Sequence, residues 1–266
     1  MGAREDEKDG WSGAARWIAA WNSAEGTRIR LFCLPHAGSG SAIFHTWKRA
    51  LPAWIDVCPI LLPGREVRLA ERPYSNSDLL IEEMAEALTG HLNKPYAIFG
   101  HSMGALLAFE LAQHLRSNAL RTPSYLFLSG RVAAHLPWGH KLIHHLPAEE
   151  FLAQLGARYG GLPQELLHDP LLQEIYLPIL RADMMLLETH RHRERPPLDC
   201  PIMAFAGMDD SNVSNESLAA WGQQTTADFS VRRFAGDHFY LSGSSRALLL
   251  EVLCEKLIAM DASASS

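Results

Sequence analysis

Short apolar runs alternate with longer amphipathic segments along most of the chain. The apolar runs cover residues 29–34, 57–62, 96–99, 125–128, 202–205 and 229–234, and each is bounded by Pro, Gly or polar residues. Runs of this length are too short for a buried helix and are typical of interior strands in a parallel sheet. Helical periodicity covers residues 79–92, 103–115, 213–225 and 245–260. The alternation predicts an α/β protein with one mostly parallel sheet and helices on both faces.

The alternation stops between about residues 133 and 196. This stretch contains amphipathic helical segments interrupted at Pro147, at the sequence GGLP (160–163), at Pro170 and at Pro178. It is far longer than a normal loop, and we expect it to form a helical lid over the edge of the sheet that binds ligands in open α/β folds. The predicted organisation is a polar N-terminal extension (1–26), a core (27–132 and 197–260), a lid insertion (133–196) and a flexible tail (261–266).

Composition narrows the class of protein. The 266 residues include 24 basic and 30 acidic side chains, with 47% hydrophobic and 20% charged residues overall. These values exclude wholesale disorder and a nucleic-acid binder that works by broad phosphate neutralisation. Four cysteines at 33, 58, 200 and 254 form no CxxC pair, and the first ten residues are polar where a secretory signal would be apolar. We therefore expect a cytoplasmic protein with reduced thiols and with no metal, membrane or nucleic-acid partner.

The sequence GHSMG at 100–104 has the pattern G-x-S-x-G. The predicted strand 96–99 leads into it, and the predicted helix 103–115 leads out. This context is that of the nucleophile elbow of α/β-hydrolases, where the flanking glycines leave room for a strained serine backbone. The pattern therefore predicts an α/β-hydrolase fold with Ser102 as nucleophile. An ordinary glycine-rich turn between strand and helix is the less favoured interpretation.

A serine nucleophile needs a base, and the base needs an acid that orients it. In α/β-hydrolases these residues follow the serine in the order Asp or Glu, then His. The loop after the predicted strand 202–205 carries Asp209 and Asp210, and the loop after strand 229–234 carries His238. Both loops leave the same edge of the sheet as Ser102. The order predicts His238 as the base, whereas spacing alone does not separate the two aspartates.

Acyl transfer also requires two backbone N–H groups that stabilise an oxyanion. The residue after the nucleophile, Met103, supplies one of them at the positive end of its helix. The loop PHAGSG at 35–40, after the first strand, is small and flexible enough to supply the other. We predict that Ala37 is this second donor.

Several motifs resemble those of the stand-alone (type II) thioesterases that accompany polyketide and nonribosomal peptide synthases. The resemblance extends from about residue 31 to about residue 253, and the order of the motifs makes it specific. The motifs are LPHAG (34–38), LPGRE (62–66), GHSMG (100–104), GGLP (160–163), LPILRAD (177–183), LAAW (218–221) and GDHFYL (236–241).

The resemblance implies a serine thioesterase with a triad of Ser102, Asp210 and His238. Asp210 is selected because the family's acid follows its glycine by three positions, although Ser211 stands where the family often has proline. The implied reaction is hydrolysis of acyl groups from the phosphopantetheine arm of an acyl or peptidyl carrier protein, an editing step in antibiotic biosynthesis. It implies no cofactor, a transient complex with the carrier and a monomeric enzyme. A small-ester hydrolase or acyltransferase on the same fold is the alternative.

Three further features allow two interpretations each. Arg65 either binds a phosphate of the pantetheine arm or, as we favour, forms an internal ion pair. The basic run THRHRER at 189–195 is either a docking site for an acidic carrier or, more commonly, a solvated helix end. The apolar stretch MMLL at 184–187 either lines an acyl channel or belongs to the core of the lid.

Overall fold

The computed structural model describes residues 16–19 and 26–264. Six parallel strands form a single sheet in this part of the chain, in the order β2-β1-β3-β4-β5-β6. The strands are β1 (Ile29–Leu34), β2 (Ile55–Pro59), β3 (Tyr96–His101), β4 (Tyr125–Ser129), β5 (Ile202–Gly207) and β6 (Phe229–Phe234). The predicted parallel sheet is confirmed. The carboxyl ends of the strands lie at one edge of the sheet, and Ser102, Asp210 and His238 follow strands that end there.

Helices cover both faces of the sheet and make two hydrophobic cores. Outside the lid they are α1 (Trp47–Ala50), α2 (Ser77–Thr89), α3 (Met103–Ser117), α7 (Asn215–Ala219) and α8 (Arg246–Ala264). Successive residues of β1 alternate between the cores: Phe32 and Leu34 belong to one, and Leu31 and Cys33 belong to the other. Every residue of this strand is buried, as expected for a parallel strand covered on both faces.

The lid helices occupy the chain between β4 and β5. They are α4 (Ala148–Tyr159), α5 (Gln164–His168) and α6 (Pro170–Thr189). Pro147 precedes α4 and Pro170 lies in the first turn of α6, where the missing N–H costs nothing. The interruption expected at Pro178 is wrong, because this residue lies inside α6. Burial of the following residues, Ile179 and Leu180, offsets the one helical hydrogen bond that proline removes.

Several boundaries differ from the sequence pattern by one to three residues, and the larger differences are in β2, after β5 and in α8. Strand β2 begins at Ile55, two residues before the predicted run, and the predicted helix 213–225 divides into α7 and a 3₁₀ turn at Ala220–Gln224. Helix α8 continues to Ala264, so residues 261–264 of the predicted flexible tail are helical.

Most of the predicted N-terminal extension, 1–26, lies outside the described residues. Within it, Trp17 and Ile18 are buried, and Ile18 forms an antiparallel bridge with Ile60, beyond the end of β2. This short segment of the predicted polar extension therefore packs on the core. Over residues 16–19 and 26–264, no helix combines the length and apolar character needed to cross a membrane.

Candidate active site

Ser102 occupies the sharp turn between β3 and α3. Its backbone is strained, with φ 55° and ψ −110°. The flanking glycines make this turn possible because a Cβ on Gly100 would lie 2.0 Å from the carbonyl oxygen of Gly104. A Cβ on Gly104 would in turn lie 2.2 Å from the carbonyl oxygen of Leu34 in β1. Close packing of α3 on the sheet therefore depends on both glycines and presents the serine at the carboxyl edge.

Ser102, His238 and Asp210 form one chain of hydrogen bonds, although they come from three separate loops. The Nε2 atom of His238 lies 3.0 Å from Ser102 Oγ, and its Nδ1 atom lies 2.8 Å from Asp210 Oδ2. All three residues are buried, with exposures of 7%, 4% and 5% in the order serine, histidine and aspartate. When Nδ1 carries the proton, Nε2 is free to accept one from the serine hydroxyl, which is the arrangement nucleophilic catalysis requires.

The structure brings Asp210 to the histidine and leaves Asp209 exposed on the surface. Burial acts to raise the pKa of Asp210, but the hydrogen bond and charge of His238 and the hydrogen bonds from Asn212 together outweigh it and hold the pKa below its ordinary value. Two further donors, the backbone and side-chain nitrogens of Asn212, lie 3.0 and 3.3 Å from Asp210 Oδ1. Asp210 is therefore an ionised acceptor at neutral pH.

Both predicted oxyanion donors are neighbours of Ser102, one along the chain and one across a cavity. Met103 is the first residue of α3, so its N–H belongs to the first-turn groups that a helix leaves free. Ala37 lines the same cavity as Ser102, in the loop after β1. The N–H of Ser102 itself is already donated to the carbonyl of Ser129 at 2.7 Å. Stabilisation of an oxyanion by Ala37 and Met103 stays a prediction that this placement supports.

Two neutral histidines, His36 and His101, lie close to Ser102 and His238 and form a histidine shell that the sequence reasoning missed. Burial lowers the pKa of His36 to about 4 and holds the pKa of His101 well below its ordinary value. His101 Nδ1 lies 2.8 Å from Ser129 Oγ, which lies 2.6 Å from Tyr240 Oη. The His101 ring is 5.1 Å from the ring of His238, centroid to centroid. Both shell histidines lie within the quoted motifs, but only the fold shows that they pack around the base.

Two cavities meet at Ser102 beneath the lid. One has a volume of about 510 Å³ and is mostly apolar. The other, of about 860 Å³, is more polar and runs along the segment after β4. Tyr159 and Leu187 line both cavities, so they separate them at the serine. Apolar residues of the first cavity include Leu155, Leu162, Leu166, Leu172, Leu180 and Met184.

The MMLL stretch of α6 has a mixed role. Met184 and Leu187 line the apolar cavity, whereas Met185 is 40% exposed and Leu186 is buried in the core without lining this cavity. Both interpretations of the stretch therefore hold, each for different residues.

Arg65 forms a buried internal ion pair, but its partner is distant in the sequence. Its guanidinium donates to Asp183 in α6 of the lid, with distances of 3.0 Å to Oδ2 and 2.8 Å to Oδ1. Glu66 instead accepts hydrogen bonds from Ser41 Oγ and Ala42 N at 2.5 and 3.0 Å. The sequence pattern indicates an ion pair here but does not identify Asp183 as its acid.

The basic run after α6 is largely exposed, although two of its arginines have acidic partners. Helix α6 ends at Thr189, and Thr189, Arg191, Arg193 and Glu194 are exposed. Arg193 pairs with Asp78 of α2 at 2.5 Å, and Arg195 pairs with the largely buried Glu110 of α3. The run is therefore a largely solvated segment at the end of a helix, and Arg193 and Arg195 have intramolecular acidic partners within it.

Comparisons with known proteins identify the family of the chain. The family model described as "Thioesterase domain" matches residues 29–259. The gramicidin S biosynthesis protein GrsT of Aneurinibacillus migulanus is 40% identical over 242 residues, covering 91% of this chain and 94% of the relative. Thioesterase PikA5 of Streptomyces venezuelae is 36% identical over 232 residues, which cover 85% of this chain and 80% of that protein.

A solved structure shares the architecture closely. RedJ, a thioesterase from the prodiginine pathway of Streptomyces coelicolor, superposes with a TM-score of 0.80 at 39% identity, covering 88% of this chain and 87% of RedJ. YbtT, the type II thioesterase of the yersiniabactin pathway, superposes with a TM-score of 0.77 at 29% identity and covers 88% and 94% of the two chains. The chain belongs to the thioesterase domain family, on an α/β-hydrolase fold, and is a thioester hydrolase of the type II group.

Proposed function

We propose that Ser102, His238 and Asp210 are the catalytic triad of a thioesterase that releases acyl groups from the phosphopantetheine arm of a carrier protein. The observation that carries the proposal is the hydrogen-bonded chain of these residues at the junction of an apolar and a polar cavity. Catalysis by such a chain requires that nucleophile and base already lie within hydrogen-bond reach, as they do here.

The first half of the reaction transfers the acyl group to the enzyme. Ser102 Oγ attacks the thioester carbonyl carbon while its proton passes to Nε2 of His238. The resulting oxyanion accepts hydrogen bonds from the N–H groups of Ala37 and Met103. When the intermediate collapses, the C–S bond breaks, and His238 returns its proton to the departing thiolate. The products are an acyl-serine and the free thiol of the arm.

The second half releases the acid. His238 accepts a proton from water as the water oxygen attacks the acyl carbon. Collapse of the second tetrahedral intermediate breaks the bond to Ser102 Oγ, which takes the proton back from His238. Asp210 orients the imidazole throughout and offsets the positive charge that forms on it twice per turnover.

The two cavities divide the substrate between them. The apolar cavity suits an acyl chain, because its lining is mostly leucine and methionine from the lid. The polar cavity suits the arm, whose amide carbonyls need hydrogen-bond donors. Arg131 and Trp138 line this cavity, and the Nε of Arg131 and the Nε1 of Trp138 are buried with no hydrogen-bond partner among the described residues. Such donors are costly unless a ligand or water engages them.

The relatives support an editing role in polyketide or nonribosomal peptide biosynthesis. Their names place them in gramicidin S, prodiginine and yersiniabactin biosynthesis. In such a setting the enzyme acts in the cytoplasm, as a monomer, and binds its carrier protein only transiently while it removes a stalled acyl group.

The direct test is intact-mass analysis of a phosphopantetheinylated carrier protein loaded with acetyl, propionyl or decanoyl groups. The wild-type enzyme should remove the acyl mass and leave the free thiol arm, whereas Ser102→Ala should lower the rate by at least ~10³-fold. A folded Ser102→Ala variant with near-wild-type turnover would overturn the assignment of the nucleophile.

A matched substrate series tests the carrier. The same acyl group is presented on the carrier, on free pantetheine and as a simple aryl ester, and kcat/KM is compared. A carrier-directed thioesterase prefers the carrier-bound form. If only the aryl ester is cleaved, and cleavage requires Ser102, the protein is instead a small-ester hydrolase on the same fold.

A further inference from the structure

The lid holds the loop that contains Ala37. Asp183 of α6 accepts a hydrogen bond from the backbone N–H of Gly38 at 2.7 Å, through the same Oδ2 atom that receives Arg65 Nη1. Arg65 Nη1 also donates to the carbonyl oxygen of Ser39 at 2.9 Å. One buried ion pair therefore fixes two consecutive residues of the loop, one through its N–H and the other through its carbonyl.

The same contacts extend to the peptide group that carries the Ala37 N–H. This group includes the carbonyl of His36, which accepts hydrogen bonds from Ser39 N at 3.2 Å and Ser39 Oγ at 2.9 Å. Because a peptide group is planar, fixing the His36 carbonyl also fixes the direction of the Ala37 N–H. The sequence of contacts runs from Asp183 through Arg65 and Ser39 to the oxyanion donor.

A second contact from α6 reinforces the first. Gly38 has a positive φ of 76°, and a Cβ placed on it would lie 2.4 Å from the Cδ2 atom of Leu180. Leu180 is one helical turn before Asp183, so both side chains leave the same face of α6. The lid helix therefore contacts the loop through an apolar side chain and a carboxylate together.

We infer that Asp183 is a positioning residue for the oxyanion loop, and that seating of lid helix α6 completes the oxyanion site. The inference rests on the proposed function, in which the Ala37 N–H stabilises the oxyanion. If α6 moves away from the core, the Gly38 N–H loses its acceptor and Arg65 loses its counter-charge. The loop then loses the contacts that direct the Ala37 N–H, while the triad keeps its own hydrogen bonds. Chemistry is thereby restricted to the state in which the lid covers the substrate.

The test is Asp183→Asn, which keeps the size of the side chain but turns one acceptor into a donor facing Arg65. We expect kcat to fall ~10- to 100-fold, less than the ~10²- to 10³-fold loss that follows complete removal of an oxyanion donor. KM should stay within about threefold, because the substrate cavities are intact.

Two ligands distinguish positioning from a merely structural role. An alkylboronic acid forms a tetrahedral, oxyanion-like adduct with Ser102, whereas a thioether analogue of the substrate has no carbonyl. Asp183→Asn should weaken the boronic acid in proportion to kcat and leave the thioether unchanged. Equal weakening of both ligands, or unchanged kcat, would overturn the proposal.

Asp169→Ala is the matched control. Asp169 caps the N-terminus of α6 by accepting hydrogen bonds from the backbone N–H groups of Leu171 and Leu172, and it lines neither cavity. This variant should lower the melting temperature without changing the ratio of boronic acid to thioether affinity. A change in the ratio as large as that of Asp183→Asn would assign the effect to general loosening of the lid and contradict the proposal.

A second variant guards against misfolding, since Asp183→Asn leaves a buried Arg65 without its counter-charge. Arg65→Met combined with Asp183→Leu removes both charges and keeps the volume. The folded double variant should show the same defect in kcat and boronic acid affinity, and wild-type values would refute the inference. Failure of the proposed function is distinguishable, because the wild-type enzyme would then not hydrolyse acyl thioesters or would do so without Ser102.

Discussion

Replacing Asp210 with Asn changes a single atom next to His238 and tests the triad sharply. In the wild-type protein, Asp210 accepts one hydrogen bond from His238 and two from Asn212. An asparagine amide has only one oxygen. If the oxygen faces His238, the amide nitrogen faces the donors of Asn212. If the amide is flipped, its nitrogen faces Nδ1 of His238, which must then accept and leave the proton on Nε2.

Both orientations impair catalysis, and the second one stops it, because a protonated Nε2 cannot accept the proton of Ser102. A triad whose histidine is held in the wrong tautomer loses ~10⁴-fold in kcat, which corresponds to about 5.5 kcal/mol at ~1.4 kcal/mol per factor of ten. Allowing for some population of the productive orientation, we expect Asp210→Asn to lower kcat ~10³- to 10⁴-fold. The assay is steady-state hydrolysis of an acyl-pantetheine, with circular dichroism to confirm the fold.

The neighbouring residue provides the control. Asp209 is exposed and meets the loop only through its backbone N–H, which donates to the carbonyl of Gly236 at 3.0 Å. Asp209→Asn should therefore keep kcat within about twofold. The reasoning is refuted if a folded Asp210→Asn variant keeps kcat within tenfold of wild type, or if Asp209→Asn is the more damaged of the two.

Three further predictions concern the cavity, the histidine shell and the glycines. Met184 lines the apolar cavity, so Met184→Trp should lower kcat/KM for decanoyl relative to acetyl thioesters by ~10-fold. Met185 is exposed, and Met185→Trp should leave this ratio unchanged. The same decanoyl-to-acetyl ratio in both variants would place the acyl chain elsewhere. Burial lowers the pKa of His36 from 6.5 to about 4, so the unfolded state binds more protons in this window and stability is lost as pH falls through it. His36→Gln should therefore flatten the fall in calorimetric Tm between these pH values, and an unchanged slope would contradict this. Gly104→Ala should lower the free energy of unfolding, measured with urea, by at least ~2 kcal/mol, because the added Cβ would lie 2.2 Å from a backbone oxygen. Gly156→Ala is the control: the nearest atom to its Cβ is 3.5 Å away, so it should stabilise α4 by ~0.5–1 kcal/mol. The reverse order of stabilities would refute this account of the packing.

Features that depend on nearby residues could be predicted from the sequence. Strands β1 and β6 have the predicted limits. A charged residue precedes each of them, Arg28 and Asp228, and Pro35, which has no N–H for strand pairing, follows β1. Ser102 could be located because strand, turn and helix are contiguous, and His238 could be selected because chain order fixes which loop follows the last strand. Asp210 required the register of a family motif, since Asp209 and Asp210 differ only in which side of the loop they face.

Features that depend on tertiary contacts could not be predicted. Arg65 and Asp183 are 118 residues apart, and each has nearer residues of opposite charge in the sequence. Ser129 and Tyr240 are 111 residues apart and meet only after β4 and the loop beyond β6 converge behind His101. The sequence pattern also could not predict that α6 continues through Pro178, because a helix continues past a proline only where tertiary packing stabilises it.

Two residues with strained backbone conformations lie near the proposed nucleophile and oxyanion site. Ser102 and Glu66 are two of the three non-glycine residues with positive φ in the described chain. Such conformations cost about 1–3 kcal/mol each and persist only when neighbouring contacts hold them. At Ser102 the contact is the N–H bond to Ser129 in β4. At Glu66 the carboxylate accepts from Ser41 and Ala42, immediately after the oxyanion loop. Strain at both positions is therefore offset by hydrogen bonds in loops that adjoin the proposed site, so the same contacts that stabilise this edge of the sheet also hold the candidate residues in place.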